Sequence, residues 1–174
     1  MLYPQKLSSK KTNILLKVML AISLVIAGIL VLINKLTSPG VHWAALSNAG
    51  IIYIWITVIY SLNKNINIAA HVMIQTIAIS ILTVFIDYRI GFSGWSLELS
   101  IPIILIIANI TMFILTIVSH RKYIRYAIYQ LIICIFSLLP PYFIYKHMVS
   151  NVVLCYVAIG ISILNFLITI ILCA

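Results

Sequence analysis

The sequence predicts an all-α, polytopic membrane protein, a bundle of six transmembrane helices joined by short loops. Apolar residues make up 64% of the 174 residues, charged residues make up 7%, and the mean hydropathy is +1.23. A soluble domain carries about 25% charged residues, so this chain cannot build a surface that faces water. The apolar residues also form six runs, each near the roughly 20 residues that cross a bilayer.

The first apolar run follows a basic N-terminal segment, residues 1–13, which we expect to be cytoplasmic. That run is too long for the core of a signal peptide, and it lacks a cleavage site of small residues. We therefore interpret it as a retained first span of a transmembrane domain over 14–174. The six predicted spans are 14–33, 43–62, 68–86, 97–118, 126–145 and 152–172.

Six spans put both termini on one side of the membrane, and the basic residues indicate which side. With a cytoplasmic N-terminus, eight of the 11 Lys and Arg residues lie inside, and Lys35, Arg89 and Lys146 lie outside. Lysine and arginine concentrate in cytoplasmic loops. We therefore predict that both termini are cytoplasmic.

The net charge of +9 comes from 11 basic and 2 acidic residues. In a soluble protein such an excess would indicate nucleic-acid binding, but this chain has no basic helix with interleaved polar residues. We expect the charges to fix orientation and to meet anionic lipid head groups. The predicted partner is thus the lipid bilayer and not nucleic acid, and a protein partner or homo-oligomer stays open. Three scattered cysteines without a Cys-x-x-Cys pair, and histidines without a second ligand at metal spacing, predict no metal and no cofactor.

The loop Asp87–Pro102 is the one stretch that combines acids, a base, glycines and an aromatic cluster. It holds both carboxylates of the chain, Asp87 and Glu98. We expect Asp87 either to pair with Arg89 or to accept hydrogen bonds from the loop backbone, and we favour a structural role over a ligand site. A charge at the edge of a membrane span is nevertheless a functional suspect.

The other residues of this loop suit a rigid return of the chain into the membrane. Gly91 and Gly94 permit backbone angles that other residues resist, and Ser96 is predicted to cap the fourth helix. Glu98 would then lie at the positive end of the helix dipole. The candidate functional or structural residues of the loop are Asp87, Arg89, Gly91, Gly94, Trp95, Ser96, Glu98 and Pro102.

Within the loop, Gly91-Phe92-Ser93-Gly94 matches the Gly-x-Ser-Gly nucleophile motif of rhomboid proteases, at the start of the fourth of six spans. A serine nucleophile needs a base within hydrogen-bond reach, and rhomboids take that base from a histidine in span six. Residues 152–174 contain no histidine. We therefore predict a chance match and a protein that is not an enzyme. A membrane enzyme that uses Asp87 and Glu98 for acid–base chemistry ranks third among our hypotheses.

Polar residues inside the spans are few and uncharged. No Asp, Glu, Lys or Arg lies near the middle of a predicted span, which argues against an ion-coupled carrier. Gln75, Asn109 and Asn165 lie near mid-depth of spans three, four and six, where amides commonly join helices through hydrogen bonds. They could instead line a polar path. Pro140-Pro141 predicts that span five bends or ends early.

The run Asp87-x3-Gly91-x2-Gly94-Trp95-Ser96-Leu97-Glu98-x3-Pro102 resembles the signature of a family of uncharacterised bacterial membrane proteins, a domain of unknown function. Members of that family look like a short N-terminal zinc ribbon, with two Cys-x-x-Cys pairs, followed by six helices. The resemblance implies the six-helix architecture and the bacterial cytoplasmic (inner) membrane, and it implies no activity. The ribbon is absent from this sequence. We therefore expect the membrane part of a longer protein, or a fragment.

Two function hypotheses rank above the membrane enzyme. The first is a non-enzymatic membrane module that anchors, senses or binds a partner, with Asp87–Glu98 as its outer element. The alternative is a small-solute permease that uses Gln75, Asn109 and Asn165 together with the Pro140-Pro141 break.

Overall fold

The computed structural model describes residues 9–38, 40–62, 67–118, 123–150 and 152–173, and it is built from helices. Residues 1–8 of the predicted basic segment lie outside the described residues. A π-helical turn, Ser96–Ser100, leads directly into α4. The α-helices are α1 Ser9–Thr37, α2 Trp43–Ser61, α3 Ile68–Ile90, α4 Ile101–Val118, α5 Tyr123–Phe136, α6 Leu139–Tyr145 and α7 Val153–Cys173.

Six segments of the described chain are helical, long and apolar enough to cross a membrane. They correspond one to one with the six predicted spans, and the predicted all-α fold class is confirmed. Their bounds are Asn13–Thr37, Trp43–Ser61, Ile68–Ile90, Ser96–Val118, Ala127–Tyr145 and Val153–Ile171.

Two helices continue about one turn beyond the predicted ends, because in each a polar residue is satisfied within the fold instead of ending the helix. α1 passes Asn34, whose side-chain amide donates to the carbonyls of Ser38 (2.9 Å) and Val41 (2.7 Å). The Asn34 Oδ1 atom accepts from the backbone N–H of Ala44 at 2.8 Å, at the start of α2. α3 likewise passes Asp87, whose partners are described below.

The chain forms two compact units, Met1–Ile52 and Tyr53–Ala174. In the described part of the first, Asn34 and Ala44 are the buried side chains. In the second, α4 packs against α3, α5 and α7 and forms the centre of the bundle. One buried cluster of this unit surrounds Leu105 and Cys155, and another surrounds Met112 and Ile133.

The predicted break in span five is confirmed, and it falls just before the two prolines. α5 ends at Phe136, Ser137 and Leu138 form a turn, and α6 begins at Leu139. Pro140 and Pro141 therefore occupy the first turn of α6, where a missing N–H costs nothing because helix-start N–H groups have no partner in the helix. The prolines fix the place where a new helix starts.

Candidate functional site

The loop between α3 and α4 changes direction at three residues that have left-handed backbone angles. Gly91 (φ +118°) ends α3 as its C-cap, and its N–H and that of Phe92 both donate to the carbonyl of Asp87. Phe92 has φ +50° and Gly94 has φ +85°. Glycine reaches such angles at little cost, whereas a residue such as Phe92 is uncommon there. The backbone thus folds back sharply over the end of α3.

The carboxylate of Asp87 holds this turn in place, and Asp87 is fully buried, with 0% of its surface exposed. Its Oδ1 atom accepts from the backbone N–H of Ser93 at 3.0 Å and from the Ser93 hydroxyl at 3.2 Å. Its Oδ2 atom accepts from the backbone N–H of Ser96 at 3.2 Å and from the Ser96 hydroxyl at 2.7 Å. An ionised carboxylate is an acceptor with two oxygens, so four donors suit its charged form. Asp87 therefore joins the end of α3 to the start of the next helix.

Of the two arrangements expected for Asp87, the observed one is acceptance from the loop and not pairing with Arg89. The guanidinium carbon of Arg89 lies 5.8 Å from the centroid of the Phe85 ring, one helical turn earlier. Side chains two positions apart on a helix point in different directions. Asp87 consequently faces the loop while Arg89 faces outward.

The prediction that Ser96 caps the fourth helix is wrong. The residue at the N-cap is Trp95, which is half-buried and makes no side-chain capping bond. The carbonyl of Gly94 accepts instead from the N–H groups of Leu97 and Glu98, both at 3.1 Å. The Ser96 hydroxyl is turned toward Asp87 because that buried carboxylate is the stronger acceptor.

The fourth span starts with an irregular turn next to Pro102. Within Ser96–Ser100 the helix is π-helical, and the N–H of Ile101 donates to the carbonyl of Ser96, five residues earlier. Pro102 follows as the second residue of α4 and is buried. Proline has no N–H to continue the ladder, so it lies where the regular hydrogen-bond pattern is already interrupted. Single π-helical turns often mark functional positions.

Glu98 links the connection between α6 and α7 to the first turn of the fourth span. Its Oε1 atom accepts from the backbone N–H of Ser150 at 2.6 Å, in the connection between α6 and α7. The two residues are 52 positions apart in the chain. Both carboxylates of the protein are therefore hydrogen-bond acceptors that hold connections between helices.

Ser93, the serine of the Gly-x-Ser-Gly match, is part of this structural network. Its hydroxyl donates to Asp87 Oδ1, which also accepts from the Ser93 backbone. A nucleophilic serine donates to a base that can carry its proton away. Here the acceptor is a buried carboxylate that already binds three other donors, which is a structural arrangement.

Of the three mid-span amides, Gln75 lies apart from Asn109 and Asn165. Gln75 on α3 is satisfied by α2: its Oε1 atom accepts from the hydroxyl of Tyr53 at 2.6 Å, and its amide donates to the hydroxyl of Thr57 at 2.9 Å. Its partners are thus all on α2, whereas those of Asn109 and Asn165 are on α4, α5 and α7. Gln75 joins two helices, as its position predicted.

Asn109 and Asn165 meet at the centre of the bundle, with a third amide, Gln130. The side-chain amide of Gln130 on α5 donates to Asn109 Oδ1 at 2.8 Å. The side-chain amide of Asn165 on α7 donates to the backbone carbonyl of Asn109 at 2.7 Å. All three residues are at least 97% buried. Sequence reasoning missed Gln130, which lies only four residues inside predicted span five, although an amide in an apolar run was the signal that found the other three.

This cluster leaves two amide oxygens unused. Gln130 Oε1 and Asn165 Oδ1 are buried, and neither has a hydrogen-bond partner among the described residues. The hydroxyl of Ser162, one turn before Asn165 on α7, is also buried without a partner in the described part of the chain. A buried unsatisfied group costs about 1–3 kcal/mol. The core of the bundle therefore holds polar atoms that can still accept hydrogen bonds.

Comparison with known proteins places the chain in a family. No curated protein and no solved structure matches it. A family model matches residues 3–173, which is nearly the whole chain and includes every residue of the α3–α4 loop. The resemblance carried by Asp87–Pro102 is thereby confirmed at the level of the family. The chain belongs to the family of unknown function DUF6320.

Proposed function

We propose that the protein spans the bacterial cytoplasmic membrane six times, with both termini in the cytoplasm. Six apolar helices of sufficient length support the insertion, and the excess of basic residues on one side supports the orientation. We further propose that it acts as a non-enzymatic module that anchors, senses or binds a partner at the end of the bundle that carries the α3–α4 loop.

The observation that carries this function is the locked geometry of the α3–α4 loop. Asp87 accepts four hydrogen bonds from the loop, and Glu98 accepts from Ser150 in the α6–α7 connection. Beside these bonds, Tyr88 is 69% exposed and Phe92 is 44% exposed. A rigid backbone that presents aromatic side chains is preorganised for binding, because less conformational freedom is lost when a partner docks.

The orientation is tested by labelling single cysteines with a membrane-impermeant maleimide in intact cells. Cys134, Cys155 and Cys173 are first replaced by alanine. We expect Ser150→Cys to react from outside, and Leu62→Cys to react only after the cells are permeabilised. Both positions are exposed ends of connections, so accessibility to water is matched and only the side of the membrane differs. The reverse pattern would overturn the orientation.

The binding function is tested with a photo-crosslinking amino acid at Phe92 and, as a control, at Tyr156. Tyr156 is an aromatic residue of α7 that is 60% exposed. We expect a discrete adduct in native membranes at Phe92 and none at Tyr156, together with no solute flux in liposomes that contain the purified chain. An absence of any adduct at Phe92, combined with measurable flux, would contradict the proposal.

A small-solute permease is the second candidate, and the unsatisfied oxygens of Gln130 and Asn165 favour it. Two buried acceptors can receive a passing solute that donates hydrogen bonds, such as water or a neutral amine. Solute flux in liposomes that contain the purified chain also tests the permease hypothesis. If flux is found and Asn109→Leu and Asn165→Leu leave it unchanged, these amides line no path and the permease hypothesis fails.

A further inference from the structure

An apolar groove runs along α3 on the side that faces the α5–α6 segment. It has a volume of about 450 Å³, and two of its lining residues, Ser80 and Tyr88, carry a hydroxyl. The rest of its wall is aliphatic and aromatic. The aromatic rings that line it are those of Phe85, Tyr88, Phe92, Phe136 and Phe143.

The break in span five forms one wall of this groove. Phe136 is the last residue of α5 and Leu139 is the first of α6, and both line the groove. The groove thus opens where the helix is interrupted. The Pro140-Pro141 pair fixes the start of α6, and it therefore also determines where this wall of the groove lies.

The length of the groove matches one leaflet of a bilayer. Ser80 lies at its deep end and Arg89, in the last turn of α3, lies just beyond Tyr88 at the other. Nine helical residues rise about 13.5 Å, and half of the hydrocarbon core is about 15 Å thick. A single acyl chain that runs parallel to α3 would therefore fill the groove from the interface to the middle of the membrane.

The positively charged side chain of Arg89 lies at the interfacial end of the groove. Arg89 is exposed, its guanidinium lies over the groove-lining ring of Phe85, and no ion pair engages it within the described part of the chain. Asp87 is turned away into the loop. Arginine binds phosphate through two parallel hydrogen bonds and can stack on an aromatic ring at the same time.

We propose that this groove, the Arg89 groove, binds an anionic glycerophospholipid, with one acyl chain along α3 and the phosphate on Arg89. A free anion would use Arg89 and leave the apolar walls uncovered, and a zwitterionic lipid would fill the walls but gain less at Arg89. An anionic lipid fills the walls and also brings to Arg89 a phosphate that no cation in its own head group offsets. The groove meets acyl chains only in an inserted bundle, so this inference rests on the function proposed above and names a ligand for the same end of the bundle.

The test uses the full chain reconstituted in phosphatidylcholine vesicles that contain a minor fraction of a probe lipid. The probe is phosphatidylglycerol or phosphatidylcholine with a photoreactive diazirine in one acyl chain, and labelled peptides are mapped after illumination. We expect phosphatidylglycerol to label the Arg89 groove roughly fivefold more than phosphatidylcholine does, the effect of one basic residue at the membrane surface. Added inorganic phosphate should not displace it.

Two pairs of variants separate specific binding from general contact with lipid. Arg89→Gln should abolish the preference for phosphatidylglycerol, and Lys35→Gln, which removes one exposed positive charge from α1, a helix that contributes no lining residue, should leave it intact. Ile81→Trp should fill the groove and reduce its labelling, and Ile114→Trp should not. Ile81 lines the groove, and both isoleucines are exposed, 64% and 54%, so neither substitution disturbs a buried core.

Several results would overturn the proposal. These are equal labelling by the two probes, a preference that survives Arg89→Gln, groove labelling that Ile81→Trp leaves unchanged, displacement by inorganic phosphate, and, in native membranes, a protein adduct from a photo-crosslinking residue at Ile81, inside the groove. Labelling of the exposed face of α4 by either diazirine lipid shows that the bundle is inserted in the bilayer, whether or not the groove is labelled. A labelled α4 face with an unlabelled groove contradicts the lipid site alone, whereas a chain without any label contradicts the proposed insertion.

Discussion

The substitution Asp87→Ala lowers the free energy of unfolding by about 3–5 kcal/mol, the range for breaking a buried charged network. It removes the acceptor of four hydrogen bonds and leaves the backbone N–H groups of Ser93 and Ser96 without partners. The Ser96 N–H is buried, and a buried unsatisfied group costs about 1–3 kcal/mol. The Ser93 N–H is only partly buried and costs less. The measurement is equilibrium unfolding of the purified protein in detergent micelles, with the start of α4 monitored by a probe near Trp95.

Graded variants identify the hydrogen bonds as the cause. Asp87→Asn keeps the shape but turns an N–H toward one pair of donors, so its cost should be smaller than that of Asp87→Ala and still clear. Ser96→Ala should cost more than Ser93→Ala, because the Ser96 hydroxyl bond is shorter (2.7 Å against 3.2 Å) and fully buried. If Arg89→Gln destabilises the protein as much as Asp87→Ala does, pairing of these two charges is the dominant interaction, and the hydrogen bonds from the loop are not the cause.

The α3–α4 loop illustrates what the sequence can predict and what it cannot. The presence of a rigid loop follows from Gly91 and Gly94, since few other residues adopt left-handed angles. The role of Ser96 does not follow, because a serine at a helix start usually caps it. Its hydroxyl faces Asp87 only because the positive φ of Gly94 and a π-helical turn set its direction, and neither feature has a reliable signal in one sequence.

For the buried amides, too, the sequence predicts one property and not another. Membrane depth can be estimated from the apolar runs, and depth identified Gln75, Asn109 and Asn165 as polar residues inside spans. Which of them meet depends on the order of helices in the bundle, and one sequence does not contain that order. Only the central position of α4 brings Asn109 to both Gln130 and Asn165, while Gln75 pairs with α2 instead.

Asn109→Leu should destabilise the bundle by about 1–2 kcal/mol, and a second substitution in its partner should recover part of that loss. The single change removes the acceptor of the Gln130 amide, while Gln130 Oε1 already lacks a donor among the described residues. The whole polar end of Gln130 is then buried without a partner. Hydrogen bonds between membrane helices are worth about 0.6–2 kcal/mol each. Gln130→Met alone should cost less than Asn109→Leu, since it removes an unsatisfied oxygen along with the bond.

The double variant Asn109→Leu/Gln130→Met should be more stable than Asn109→Leu, because replacing both partners with apolar groups of similar shape leaves no polar atom stranded. Unfolding in micelles for the four members of this cycle gives the coupling between the two residues. Thr116→Val on the same helix is the control. The Thr116 hydroxyl donates to Met112 within α4 and joins no second helix of the described chain, so this substitution should show no coupling with Gln130→Met. Strictly additive losses for Asn109 and Gln130 would mean that their amides do not interact in the folded protein. A positive coupling would identify α4 and α5 as helices joined by a polar contact that the bundle can exchange for an apolar one.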